Sequence, residues 1–232
     1  MMRFRLSVFL TLVLVLSLSS CLSYRERRLR EFESSPLVGM VYDQEQKPCA
    51  AALITVDGEE GPRTDINGRF VIDALARGDH LFKVSKEGFE TLEVPLSFVD
   101  RTQVLYLRMV SLNQLLREAE EALDRRRLQE ADGLLRRAEA LDPEDPVGLY
   151  LRAVYFLKLD DNQQAIGQLQ KILAQGQRLP AVLLSLADIY QYRLQDAAQA
   201  VGFLQEYLRT EDDPDVRARL AELEGQPAQQ AP

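Results

Sequence analysis

Three hydrophobic rhythms follow one another along this chain. Residues 6–18 are largely apolar, with Arg3 and Arg5 in front and Ser19-Ser20-Cys21 behind. From residue 37 the apolar positions come in short runs, at 37–42, 51–56, 69–73, 80–85, 91–96 and 103–109. Within them Phe70 and Ile72 alternate with Val71 and Asp73, and Leu105 and Leu107 alternate with Tyr106 and Arg108. A period of two puts one face of a strand in a core and the other in water. Asp57-Gly58, Asn67-Gly68, Gly78-Asp79 and Glu87-Gly88 divide the runs with residues that tolerate positive φ. Roughly seven short strands with turns so spaced predict a small antiparallel β-sandwich.

After Met109 the β-branched residues thin out and the period lengthens. Helices are predicted over 112–126, 129–141, 146–158, 162–175, 180–192, 196–209 and 214–223. Ser111 with Gln114 offers a capping box, Pro146 stands at a first helical position, and Pro143 and Pro180 punctuate the series. A slower rhythm lies over these helices. Ala119, Ala153 and Ala187 are 34 residues apart, as are Leu115, Leu149 and Leu183. The same interval links Ala131 to Ala165, Leu135 to Leu169 and Pro146 to Pro180. Small and apolar positions at this period are the signature of stacked helix-turn-helix units. The expected fold class is multidomain, all-β then all-α: a small antiparallel β-sandwich followed by an α-solenoid of about three repeats.

Composition narrows the function. The 232 residues carry a formal charge of −8, which argues against nucleic acid, whose phosphates need clustered Lys and Arg. One His and two Cys leave little for a metal site. No nucleophile elbow, His-x-x-Glu-type pair or Gly-rich phosphate loop is found, so no enzyme activity and no cofactor are expected. Asp65-x-Asn67-Gly68 has the start of a calcium loop, but position 12 is Ala76 where a closing Glu is needed, and a hairpin turn is expected instead. His80 has no neighbouring Cys or His and is read as structural or solvent-facing.

The first segment is too short for a spanning helix, which needs roughly 20 apolar residues. Its basic start, apolar core and Leu18-Ser19-Ser20-Cys21 resemble the signal peptide and lipobox of bacterial lipoproteins; an ordinary signal peptide or a signal anchor is the alternative. The resemblance implies cleavage after residue 20 and lipid (palmitate among it) on Cys21. Each buried CH₂ contributes roughly 0.8 kcal/mol, so several chains anchor stably without spanning. Leu22 in place of Asp favours the outer membrane, on its periplasmic side, by the sorting rule known for some Gram-negative lipoproteins. Loss of residues 1–20 leaves 26 basic against 36 acidic residues, a formal −10. With Cys21 lipidated, Cys49 has no partner in the chain and is expected to be a buried apolar residue, a reactive thiol being the alternative. Residues 21–36 mix Arg25, Arg27, Arg28 and Arg30 with Glu26, Glu31 and Glu33, and read as a solvated tether or a frayed helix.

The β-prone part, 37–110, resembles the carboxypeptidase regulatory-like domain, a transthyretin-type sandwich. The resemblance rests on Val38-Gly39-x-Val41-x-Asp43, Pro48, Ile54-x-Val56, Thr64-Asp65-Ile66-Asn67-Gly68-Arg69-Phe70, Leu75-x-x-Gly78 and Val84-Ser85-x-x-Gly88-Phe89. Gln46 and Ala76 stand where the family usually has Gly and often has Pro; both fall in predicted turns, outside the sandwich core. The family implies an accessory domain without catalytic residues.

The helical part, 111–224, is similar to the tetratricopeptide repeat (TPR) with Leu112, Pro146 and Pro180 as first positions. Ala119, Ala153 and Ala187 fill its small eighth position. Ala131, Ala165 and, after one inserted residue, Ala200 fill its small twentieth. Ala122, Phe156 and Tyr190 stand at the large eleventh, so Ala122 departs from the pattern. Leu135, Leu169 and Leu204 hold the twenty-fourth. A capping helix with a polar outer face of Arg217, Arg219, Glu222 and Glu224 follows, and 225–232 reads as a disordered tail. The resemblance implies a concave face receiving an extended peptide or a partner's helix, formed here by Asn113, Arg117, Glu120, Tyr150, Val154, Lys158, Leu184, Asp188, Gln191 and Tyr192, with Leu116 and Leu151. The Lys/Asn/Arg carboxylate clamp of one subfamily is missing, and the expected partner is an apolar or amphipathic segment of another envelope protein. The whole reads as a TPR bacterial lipoprotein with an N-terminal carboxypeptidase regulatory-like domain, a non-catalytic cell-envelope scaffold. In the alternative, the sandwich binds glycan or cell wall.

Overall fold

A computed structural model describes residues 34–225. The signal segment, Cys21, most of the tether and the tail beyond residue 225 lie outside the described residues. The chain divides after Ser111 into two compact units.

The first unit is two facing sheets. The strands are β1 (Ser34–Asp43), β2 (Leu53–Val56), β3 (Glu59–Arg63), β4 (Arg69–Ala76), β5 (Gly78–Ser85), β6 (Leu92–Phe98) and β7 (Val104–Met109). One sheet runs β4-β1-β7, the other β3-β2-β5-β6. Leu37, Val41, Ile54, Phe70, Phe82, Val84, Phe98, Leu105, Leu107 and Met109 fill the space between them. Each such side chain contributes roughly 1.5–3 kcal/mol by leaving water. Cys49 is buried in this core, as expected, and burial pushes its pKa up.

Two features depart from the expected sandwich. The β1–β7 pair is parallel, with Gly39 opposite Leu105. No hairpin links these strands; β2 to β6 intervene, so the chain can return in the same direction. β3 is the second departure. Its Glu-Glu-Gly-Pro-Arg sequence has no alternation to announce a strand. Asp57 (φ 52°) and Gly58 (φ 87°) form a two-residue turn with two left-handed residues, and that turn folds β3 back on β2.

The Thr-Asp-x-x-Gly-x-Phe piece is explained atom by atom. The buried Thr64 hydroxyl donates to the Cys49 carbonyl and accepts from Ala52 N–H at 2.8 Å. Asp65 Oδ1 accepts from Asn67 N–H (2.9 Å) and Arg69 N–H (2.8 Å), so the carboxylate closes a turn. Gly68 lies at φ 75°, and a Cβ there would come within 2.3 Å of the Val41 carbonyl oxygen. Phe70 covers Gly39, where a Cβ would lie 2.1 Å from its ring. Gln46 takes φ 62°, the left-handed conformation that favours Gly. Asp43 Oδ1 holds that turn by accepting from Glu45 N–H and Lys47 N–H, both at 2.8 Å.

The second unit is built from α1 (Leu112–Asp124), α2 (Leu128–Leu141), α3 (Pro146–Lys158), α4 (Asn162–Ala174), α5 (Pro180–Asp188), α6 (Ala197–Tyr207) and α7 (Pro214–Gly225). The pairs α1/α2, α3/α4 and α5/α6 pack as three units. Ala119, Ala153, Ala187, Ala131, Ala165 and Ala200 are all buried, which lets the paired backbones approach. Asp145, Asp161 and Asp196 cap α3, α4 and α6, accepting from Gly148, Gln164 and Gln199 N–H. The residue inserted in the third unit is absorbed in a π-helical turn, Ile189–Arg193, directly after α5, where Leu194 N–H donates to the Ile189 carbonyl. Arg152 is buried between α2 and α3, donating to Glu139 (2.6 Å) and Asp132 (2.7 Å). Burial disfavours its charge, but the two carboxylates outweigh that and raise its pKa. No helix among the described residues is long and apolar enough to cross a membrane.

His80 gives the sandwich a pH dependence. Its Nδ1 lies 2.6 Å from Asp57 Oδ2 and its Nε2 lies 2.8 Å from the Ala76 carbonyl. Both bonds form together only when both nitrogens carry hydrogen, as imidazolium. Burial opposes that charge; the bonds to Asp57 and Ala76 and the charges of Asp57 and Asp79 prevail, so the pKa is raised. Asp57 is lowered, first by the bond from His80 and then by Leu81 N–H. The histidine's contribution is complete below the ordinary imidazole value of about 6.5 and disappears as pH rises through the raised folded value. The aspartate's contribution is present above the ordinary carboxylate value of about 3.9 and disappears as pH falls through its depressed value. Urea unfolding followed across pH should show the pair at full strength between these limits, and His80→Gln should remove the decline on the alkaline side. Titration of His80 by NMR should place its pKa above the ordinary value.

Candidate functional site

The residues expected to form a concave face lie on the first helices of the three units, α1, α3 and α5 with its π-turn. The structure divides that face into parts with different surroundings. Asn113, Arg117 and Glu120 lie exposed along α1. Leu116 and Leu151 are buried at 5% and 6% exposure, so they are packing residues and not groove lining. A Cβ on Gly148 would lie 3.6 Å from the Leu116 side chain, so Leu116 packs over that glycine of α3. Tyr150 is half-buried and its hydroxyl lies 3.3 Å from Ser185 Oγ, tying α3 to α5. Leu184 packs against the last cluster of the core.

The third unit's part of the face is held by the chain itself. Arg219 of α7 reaches Asp188 Oδ1 at 2.8 Å and donates from Nε to Gln191 Oε1 at 2.6 Å. Its guanidinium lies 5.0 Å from the centre of the Tyr192 ring. Asp188, Gln191 and Tyr192 are therefore brought together around an internal cation. Arg219 accordingly faces inward, not onto the polar outer face expected of the last helix, while Arg217, Glu222 and Glu224 are exposed.

Val154 and Lys158 come together elsewhere. They line a cavity of 470 Å³ at the ends of α1 and α3, with Arg126, Leu128, Leu157 and Arg193. Its floor is aliphatic and its rim has three cations and no carboxylate. Arg125 and Arg127 pair with Glu121 and Glu130. Arg126, between them, takes a left-handed φ of 55° and has no ion-pair partner among the described residues. Lys158 likewise has none. Arg193 pairs with Asp160 at 3.0 Å, an aspartate whose side chain is 87% exposed.

Arg126, Leu128, Leu157 and Arg193 were not legible as site residues, since by repeat position they sit at helix ends and turns. The Arg125-Arg126-Arg127 run was a partial signal, since Glu121 and Glu130 are the two glutamates at helical spacing from three arginines; that Glu130 pairs with Arg127, three residues before it, and not with Arg126, four before it, is decided by the fold. Chemically the cavity suits an anionic group beside an apolar one. Among the described residues no group of three or more His, Cys, Asp or Glu is placed to hold a metal ion.

The sandwich has a hollow of its own. Tyr42, Gln46, Tyr106, Leu107 and Arg108 line a 660 Å³ depression, and Tyr106 is 68% exposed.

No protein-family profile matches the chain, and no curated protein matches it. Among solved structures it is similar to the first TPR of Spaghetti (RPAP3), bound there to an HSP90 peptide, with 16% identity and a TM-score of 0.44 over 49% of this chain and 92% of that one. It is also similar to the Sgt2 TPR domain from Aspergillus fumigatus, with 15% identity and a TM-score of 0.43 over 52% of this chain and 88% of that one. A Streptococcal ancillary pilin matches with 18% identity and a TM-score of 0.28 over 34% of this chain and 32% of that one.

Arg219→Ala removes an ion pair, a hydrogen bond and a ring contact at once. It should loosen α7 by about 1–2 kcal/mol. Amide hydrogen exchange is expected to accelerate across α7 and the π-turn and to stay unchanged in α1–α4.

Proposed function

We propose that this chain is a non-catalytic adaptor of the bacterial cell envelope, anchored by lipid on Cys21 and receiving a segment of another envelope protein on its helical array. In this reading residues 1–20 are a signal peptide, 21–36 a lipidated tether, 37–110 a spacer sandwich and 111–224 the TPR array. The outer membrane, on its periplasmic side, is the favoured location. The observation that carries the adaptor reading is the cavity of Val154, Leu157 and Leu128 rimmed by Arg126, Lys158 and Arg193. It is an aliphatic recess that includes Val154 and Lys158, two positions of the expected peptide-receiving face, and two of its cations lack a partner in the described chain. The anchor rests on the order of basic start, apolar core and Leu18-Ser19-Ser20-Cys21.

A second reading is favoured by the exposed Tyr106 beside Tyr42 over the sandwich hollow. Two aromatic side chains at an open depression suit stacking on a sugar ring, which supports the sandwich as a glycan-binding module.

One experiment addresses both. The lipidated mature chain is used to capture proteins from detergent-solubilised membranes and, separately, to bind purified cell wall. Val154→Asp should abolish protein capture, and Tyr106→Ala should leave it intact. Cell-wall binding that is lost in Tyr106→Ala, with protein capture indifferent to Val154→Asp, would replace the adaptor with the glycan-binding module. Cys21→Ala should move the protein from the membrane to the soluble fraction; retention would show a signal anchor.

A further inference from the structure

We infer that the cavity at the ends of α1 and α3 recognises an acidic residue next to an apolar one on the partner segment. The inference rests on the adaptor reading and specifies its partner. Three observations point the same way. The walls offer Arg126, Lys158 and Arg193 without a carboxylate among the lining residues, in a chain whose formal charge is −8. The neighbours of Arg126 show that this stretch of chain can satisfy its arginines internally, since Arg125 and Arg127 both have glutamate partners at 2.5 and 2.7 Å. Arg126 instead occupies a left-handed turn position that favours Gly or Asn. The corresponding turn positions of the other units are Asp160 and Gln195, at φ 61° and 56°, so the conformation recurs and the cation belongs to the first unit alone.

The floor supplies the second half of the recognition. Leu128, Val154 and Leu157 present aliphatic surface between the cations. A side chain such as Leu or Val can be buried there while an adjoining carboxylate meets the rim. Water is then excluded around the charges, which strengthens each pairing. Lys158 also lies at the C-terminal end of α3, where a cation is favoured by the helix dipole. That explains its presence on α3; it does not explain the convergence of Arg126 and Arg193 from two other segments on the same recess. The three cations come from the turn within the first unit, the end of α3 and the π-turn after α5, a different set of positions from the inner-face clamp that this chain lacks. A recess with an aliphatic floor receives an inserted side chain, whereas a flat basic face would suit a lipid surface.

The test uses the mature full chain in non-ionic detergent and two fluorescent heptapeptides with blocked termini. One has Leu-Glu-Glu-Leu at its centre and the other Leu-Gln-Gln-Leu. Fluorescence anisotropy should give a dissociation constant at least tenfold lower for the glutamate peptide, and the advantage should shrink with added salt. The paired substitution Arg126→Gln with Lys158→Gln should weaken glutamate-peptide binding by about tenfold. Charge reversal, Arg126→Glu with Lys158→Glu, should transfer the preference to a Leu-Lys-Lys-Leu peptide, which a merely structural role would not do. Equal binding of the glutamate and glutamine peptides overturns the inference. So does binding of anionic phosphatidylglycerol vesicles, dependent on Arg126 and Lys158, without binding of any peptide. Membrane-protein capture separates the two levels. Capture lost in Val154→Asp but unaffected by the glutamine pair removes the acidic partner and leaves the adaptor; capture unaffected by either removes both.

Discussion

The helical half depends on how closely two helices can approach. Ala119 faces the second helix of its unit as Ala153 and Ala187 face theirs, and Ala131, Ala165 and Ala200 answer from the other side. Each is buried and none can be larger without forcing the backbones apart, because a close-packed interior accommodates added volume only by strain. The bulk removed at these positions is restored around them. Leu135, Leu169 and Leu204 are buried, and Tyr190 and Phe203 stack with ring centres 5.7 Å apart across the third unit. Alternating small and large positions is therefore what makes each unit a pair.

The sandwich uses the same constraint with glycine. Gly39 leaves room for Phe70, and Gly68 leaves room for the Val41 carbonyl while bending at positive φ. Thr64 and Asp65 then hold the neighbouring loops by side-chain hydrogen bonds. The apparent calcium signature is spent on this turn, since Asp65 Oδ1 already accepts two backbone N–H groups.

Repetition with a single exception positions the candidate site. The first two units end their first helix in the same cap, with Arg127 N–H donating to Ala122 and Asp161 N–H to Phe156. In the third, Asp196 N–H reaches Tyr190, one residue further back, because the π-turn has taken up the extra residue. Arg193 closes that π-turn and meets the cavity formed at the ends of α1 and α3. Meanwhile Arg219 of α7 engages Asp188, Gln191 and Tyr192, so the face is divided between an open recess and an internally held patch.

The order of sandwich and helical array, the helix limits and the three-unit register were legible because they depend on local period and on residue size. Burial of Leu115, Leu149 and Leu183 follows from spacing alone once the register is known. β3 was not legible, because Glu59–Arg63 is a strand by virtue of the turn before it and the partner β2, not its own pattern. The parallel β1–β7 pair was hidden for a related reason, since pairing between distant strands leaves no trace in either one. Repeat positions named Val154 and Lys158 but could not set Leu116 and Leu151 apart as buried, nor bring Arg126 and Arg193 to the same recess. Periodicity tells which way a side chain points from its own helix. Which side chains from different helices meet, and which charges are left without a partner, is decided only when the helices pack.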